Sequence, residues 1–329
     1  MTTRLLILSA DDVKAALGYP ECAAAMREAL IARASGEVFQ PLRSVLAPPE
    51  AAGLMALMPA YRSGRNAAYG LKAITITPGN PARNLDTHQG IVLLSSPDTG
   101  QPVAVLNASA VTEIRTAAVS AVATNALANE DADVLAVIGT GVQARSHVEA
   151  IGATRRLTEI RVAGSAPDKA ARFAASLTSA ARILACASAE QAVAGAGIIV
   201  TATSSPEPVL RRDWLTPGTH INAVGACLPH LRELDTATVT GAALFGDSRE
   251  SVLSEAGDYR LAAADGAIGP DHVRAELGDV LAGTADGRRG EREITVFESL
   301  GLAIEDLAAA TVAVQAATRN GTGTWVTFE

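Results

Sequence analysis

Apolar positions along the 329-residue chain follow two regimes. Between residues 40 and 106 they alternate with polar ones in short runs divided by turn residues, a pattern of neighbouring strands. Strands are predicted over 43–47, 54–58, 69–77, 90–95 and 102–107, with Asp98-Thr99-Gly100 as a hairpin turn. Such a run suggests an antiparallel or mixed sheet. Ahead of it, residues 10–35 predict a pair of helices. Ser9 or Asp11 can cap the first, Tyr19-Pro20 breaks it, and Gly36 ends the second. Behind it, 109–128 predicts a helix with Val111, Ile114, Ala118 and Val122 on one stripe.

From residue 134 strands alternate with helices, and the first run, 134–138, is short and aliphatic, as expected of a strand buried on both faces. The strands fall at 134–138, 159–163, 182–185, 197–202, 220–224 and 243–247, with helical stretches between. Six strands alternating with helices define an α/β fold, a doubly wound parallel sheet of the Rossmann kind. The alternation is expected to end near residue 295, followed by a helix over 301–319 and a last apolar run at 325–328. Asn129-Glu130-Asp131 marks the expected domain boundary.

The first strand of this regime runs into Gly139-Thr140-Gly141-Val142-Gln143-Ala144, a dinucleotide fingerprint with Ala in its third place. Gly139 permits the tight turn and Gly141 lets backbone approach a pyrophosphate. Ala144 keeps helix and strand close, and the helix start aims its N–H groups at phosphate. Thr201 and Thr203 end the fourth strand, where their hydroxyls either face a cofactor at the switch point or cap a turn. The second strand ends Val162-Ala163-Gly164-Ser165, with no carboxylate before Asp168 to accept from ribose hydroxyls. Ser165, Lys169 and Arg172 instead offer donors suited to a 2′-phosphate, which favours NADP(H) over NAD(H) as cofactor.

Composition narrows the setting. A net charge of −8 argues against bulk-charge binding to nucleic acid or an anionic membrane, and no apolar run is long enough to span a bilayer. Cys22, Cys186 and Cys227 are odd in number and lack metal-ligand spacing, and the five histidines are scattered. No metal site is expected, and a cytoplasmic location fits. Lys72 shares a strand face with Ile74 and Ile76, so it either has a buried partner or snorkels from an edge. Arg43 likewise shares a face with Val45 and Ala47, and Arg115 sits beside Ile114 in a helix. The loop at 78–90 is rich in turn residues, and His88 within it is ambiguous between a solvent-facing and a catalytic role.

Several segments resemble the ornithine cyclodeaminase/mu-crystallin family: Thr87-His-Gln-Gly, Arg115-Thr-Ala-Ala-Val-Ser-Ala, Gly139-Thr-Gly-Val-Gln-Ala, Ile221-Asn-Ala-Val-Gly, Arg232-Glu-Leu-Asp and the run from Thr295 to Asp306. The resemblance implies a homodimer with a Rossmann domain at 129–299 and an α+β substrate and dimerisation domain built from both chain ends, 1–128 and 300–329. It implies that Arg43, Lys72 and Arg115 hold a substrate carboxylate, and that Thr87, Thr116, Val224 and Ser299 lie near the nicotinamide or its ribose. Cyclodeaminases and related alanine dehydrogenases carry an Asp for proton transfer where this chain has Cys227. Mu-crystallin-like members also lack it and reduce cyclic ketimines with NAD(P)H. A small imino or amino acid substrate is therefore expected, with a ketimine reductase activity. Ornithine cyclodeamination, or ligand binding with little turnover, are the alternatives. Cys227 itself is expected to be a buried filler.

Overall fold

The computed structural model describes residues 4–328. In chain order its elements are β1 (Arg4–Leu8), α1 (Ala10–Ala16), α2 (Tyr19–Ala34), β2 (Val38–Phe39), β3 (Ser44–Leu46), β4 (Leu54–Arg62), β5 (Ala68–Ile76), β6 (His88–Ser95), β7 (Pro102–Asn107) and α3 (Ala108–Leu127). There follow β8 (Val134–Ile138), α4 (Val142–Thr154), β9 (Glu159–Ala163), α5 (Pro167–Ala175), β10 (Arg182–Ala185), α6 (Ala189–Val193), β11 (Ile198–Thr201), β12 (His220–Ala223), α7 (Thr236–Thr240) and β13 (Ala243–Gly246). The chain closes with α8 (Arg249–Glu255), α9 (Gly257–Ala264), β14 (Val273–Glu276), α10 (Leu277–Ala282), β15 (Thr295–Glu298), α11 (Ala303–Asn320) and β16 (Thr324–Thr327). Two compact units divide it: residues up to Arg115 with those from Gly301 on, and Thr116–Leu300. The first division falls inside α3, where the sequence suggested 128/129.

The first unit is built on a sheet ordered β16-β1-β7-β6-β5-β4-β2, with β3 also on β4. Both chain ends meet in it, because β16 runs antiparallel to β1, and β1 lies parallel to β7. One face carries Lys72, Ile74, Val92, Leu94, Ala104 and Leu106, all buried, and α11 packs against β5, β4 and α2. Ser9 caps α1 through a capping box, accepting from the Asp12 N–H while Asp12 accepts in return. The strand predicted to end at residue 58 continues through Pro59 to Arg62. Pro59 falls opposite the gap between the segments paired with β2 and β3, where that edge of β4 has no ladder to break.

In the second unit eight parallel strands run in the order β10-β9-β8-β11-β12-β15-β13-β14. The expected count of six is corrected by two strands that the sequence pattern hid. Thr295–Glu298, where the alternation was expected to end, inserts between β12 and β13. Val273–Glu276 adds an outer edge to β13. Both end on a glutamate, and β14 interleaves charge with apolar positions, so neither reads as a continuous aliphatic run. The strand order reverses between β8 and β11, which places the switch point at their C-terminal ends. Among the described residues no helix is long and apolar enough to cross a membrane.

Candidate functional site

Lys72 stands in the middle of β5 on the face toward α11, and its Nζ lies 2.7 Å from Asp306 Oδ2. The other oxygen of Asp306 accepts from Arg115 Nε at 3.1 Å, and Arg115 Nη1 donates to Glu305 Oε2 at 2.8 Å. Arg43 donates from Nη2 to the Gly301 carbonyl at 3.1 Å. Lys72, Arg115, Glu305 and Asp306 are 3%, 5%, 0% and 1% exposed, so water screens this cluster little. Lys72 and Arg115 thus share the two carboxylates, and Arg43 adds a third positive charge near them. Burial pushes the Lys72 ammonium down to about 8 against the pull of Asp306, and Arg115 and Arg43 push the same way. Gly301 is required where it stands: its φ is +82°, and a Cβ there would lie 2.5 Å from Arg115 Nη1.

The structure thus brings together the three cations that sequence singled out, each by a different route. Lys72 keeps the predicted strand face and has the buried partner that its position demanded. Arg43 precedes β3, whose three residues are all exposed, so no buried strand face holds it. Arg115 is buried by its bonds to α11. Glu305 and Asp306 were the residues sequence reasoning missed. Their signal was present, since a helix start with buried Ala309, Ala310 and Ala313 puts the acidic pair beside an apolar face. His88 opens β6, and partial desolvation with the nearby Lys72 and Arg115 charges holds its imidazole below the usual histidine range. Thr87, half-buried, precedes it and accepts at its carbonyl from the Thr77 N–H at 2.9 Å.

In the second unit the fingerprint forms the β8–α4 turn. Gly139 has a φ of +133°, and a Cβ on it would meet the Ala202 carbonyl oxygen at 2.4 Å. Nothing lies within 4 Å of a Cβ position on Gly141, so its approach is open. Gly141 caps α4 with no side-chain bond, Val142 is exposed, and Ala144 is fully buried against the sheet. Gln143 Oε1 is buried with no hydrogen-bond partner among the described residues. An uncapped helix start and an open glycine fit a bound pyrophosphate. Beyond β9, exposed Lys169 donates from Nζ to Ser165 Oγ at 3.1 Å, while Asp168 is paired with Arg172 at 2.7 Å.

The remaining candidates lie along the C-terminal ends of the strands. Thr201 neither faces outward nor caps a turn; its hydroxyl donates to Glu233 Oε2 at 2.8 Å. The Thr203 N–H donates to Glu233 Oε1 at 2.6 Å, and the Thr203 hydroxyl accepts from the Ser205 N–H. Val224 donates its N–H to the Thr201 carbonyl, and Ser299 donates its own to that of Ala223. Ser299 Oγ is buried and has no hydrogen-bond partner among the described residues. Thr116, buried, follows Arg115 in α3 and begins this unit. Cys227 is half-buried against the hydrophobic core. The unit also holds a group of buried carboxyls that the sequence did not reveal: Glu233, Asp247, Asp258 and Glu298. Burial, then the charges of Asp258, Glu233 and Asp247, hold Glu298 well above the usual carboxylate range.

Residues 4–321 match the ornithine cyclodeaminase/mu-crystallin family, and the chain belongs to it. Ketimine reductase mu-crystallin of Rattus norvegicus is 39% identical over 307 residues, 92% of this chain and 94% of that protein. The structure of Thermococcus litoralis Delta(1)-pyrroline-2-carboxylate reductase in complex with NADH and L-proline shares 35% identity at a TM-score of 0.93, covering 97% of this chain and 99% of the other. An archaeal alanine dehydrogenase dimer with bound NAD shares 33% identity at a TM-score of 0.93, covering 99% and 100%.

Proposed function

We propose that this chain reduces small carboxylated cyclic ketimines, such as pyrroline-2-carboxylate and piperideine-2-carboxylate, to imino acids with NAD(P)H. The observation that carries this is the grouping of Arg43, Lys72 and Arg115, with Lys72 and Arg115 buried against Glu305 and Asp306 and half-buried Arg43 on the Gly301 carbonyl. An α-carboxylate accepts charge-assisted bonds from such cations. Cys227 in place of the proton-transferring Asp supports reduction over cyclodeamination, and the similarity to a ketimine reductase and a pyrroline-2-carboxylate reductase supports the same reading.

Gly139, Gly141, Val142, Gln143 and Ala144 would hold the dinucleotide pyrophosphate, with Thr116, Thr203, Val224 and Ser299 toward the nicotinamide half. When bound, the reduced cofactor supplies hydride to the imine carbon. The chain's own part is to orient and to hold charge. Arg43 and Arg115 fix the carboxylate. Lys72 Nζ, at about 8, carries a proton at neutral pH and is acidic enough to give it to the imine nitrogen, which becomes the secondary amine. Replacing Lys72 by Met or Arg115 by Ala should lower kcat/KM for pyrroline-2-carboxylate by about tenfold or more, the worth of one charge-assisted bond. Unchanged kcat/KM in both variants would sink the assignment, with ornithine as a control substrate for cyclodeamination.

Ser165 and Lys169 support a preference for NADP(H), since both offer donors where a ribose-binding carboxylate is absent. Ser165→Asp should then shift the kcat/KM ratio toward NADH. A homodimer is supported by the sheet face of the first unit turned away from α11. There Leu57 and Ile91 are 38% and 46% exposed, and Ile7, Val105, Leu93, Leu71 and Pro59 continue it in paired register. Three cysteines outside any disulfide suit a cytoplasmic setting.

A further inference from the structure

Glu233, the carboxylate of the Arg232-Glu-Leu-Asp segment, has no part in the chemistry above, yet it is fully buried at the switch point. Its Oε1 accepts the Thr203 N–H at 2.6 Å. Its Oε2 accepts the Thr201 hydroxyl at 2.8 Å and the Gly225 N–H at 2.7 Å. One side chain therefore ties together the loops that leave β11 and β12. The segment that carries it is itself anchored, because Asp258 Oδ1 accepts the N–H groups of Glu233 and Leu234 at 2.7 and 2.8 Å. The fit leaves no slack: a Cβ on Gly225 would meet the Thr203 carbonyl oxygen at 2.0 Å and Glu233 Oε1 at 2.6 Å.

Between the two threonines lies Ala202, whose N–H donates to the Ile138 carbonyl and whose own carbonyl oxygen abuts Gly139. Holding Thr201 and Thr203 thus fixes the loop that leaves β11, and holding Gly225 fixes the loop that follows β12. In a doubly wound sheet the dinucleotide crosses this reversal, with one half over β8 and β9 and the other over β11 and β12. We infer that Glu233 is a positioning residue that shapes the nicotinamide half of the crevice and leaves the adenosine half alone. This rests on the dinucleotide reading of the fingerprint. Glutamine cannot replace it. Whichever way the amide turns, its NH2 group faces a backbone N–H, of Thr203 or of Gly225, and that donor loses its acceptor.

Calorimetric titration of the full-length chain tests the inference, with NADH against ADP-ribose and NADPH against 2′-phospho-ADP-ribose. Glu233→Gln should bind each ADP-ribose probe as the parent does and the matching dinucleotide about tenfold more weakly. Thr201→Val, which removes one donor and keeps the shape, should shift the same ratio in the same direction by less. A general loosening of the fold would weaken both members of each pair. Equal loss for both, or no loss for either, overturns the inference, and if Glu233→Gln does not fold, the Thr201→Val ratio decides by the same criterion. Parent protein that binds neither dinucleotide nor ADP-ribose would instead remove the dinucleotide reading, and this inference with it.

Discussion

Asp306→Asn isolates the electrostatic argument for the cation cluster. Asp306 touches Lys72 at 2.7 Å and Arg115 at 3.1 Å, all three within a few per cent of complete burial. Removing one partner of a buried ion pair costs about 3–5 kcal/mol, because the other charge stays desolvated. For a unit of this size that corresponds to a Tm lower by about 6–20 °C. Lys72 can relieve part of the cost by releasing its proton. Its ammonium already sits at about 8 with Asp306 attracting it, so loss of that attraction lowers it further. The sign of the pH effect follows. The unfolded chain keeps the lysine protonated up to its ordinary 10.5, while the folded variant gives up the proton at lower pH, so the unfolded state binds more protons. Stability of Asp306→Asn should therefore rise between pH 6 and 7.5 relative to the parent, by up to about 1.4 kcal/mol per pH unit. In the parent, Lys72 is largely protonated in both states over that range and adds only a shallow slope. Urea unfolding at four pH values in this interval measures both quantities. A loss under about 1 kcal/mol with parallel pH dependence would show that Asp306 does not neutralise Lys72.

Three further outcomes follow from the same geometry. Glu298→Gln mimics the protonated carboxyl that burial and its three acidic neighbours enforce. The parent's folded state holds a proton that the unfolded state gives up above about 4.3, so Glu298 costs stability increasingly as pH rises, and the variant should unfold at higher temperature at pH 8 and lose part of that slope. Gly301→Ala places a Cβ 2.5 Å from Arg115 Nη1 at a φ of +82°; about 1–3 kcal/mol of stability should be lost, and kcat/KM for pyrroline-2-carboxylate should fall with it, which activity and thermal scans together would check. Ile91→Glu puts a charge in the middle of the exposed apolar sheet face, and light scattering should report a monomer in place of the proposed dimer; a dimer that persists would place the interface elsewhere.

How much of this was legible depends on what each residue's neighbours in sequence reveal. The strand at 134–138 falls where the pattern put it, because a strand buried on both faces favours a short aliphatic run. β15 escaped for the opposite reason: its glutamate is buried among other carboxyls, and a sequence scan assigns a glutamate to solvent. Lys72 was legible as a problem, a cation on an apolar face, but its solution lies 234 residues away in Asp306. Arg43 shows the reverse, since the face it was thought to share does not exist and only the Gly301 carbonyl explains its place. Glu233 makes the point most sharply. The Arg232-Glu-Leu-Asp segment carries the family resemblance, but nothing within a few positions shows that its glutamate is buried. Its three acceptor bonds reach back to Thr201, Thr203 and Gly225, donors that terminate two different strands. Local pattern encodes which face of an element is buried; the polar groups that join elements become readable only when the chain has brought their partners together.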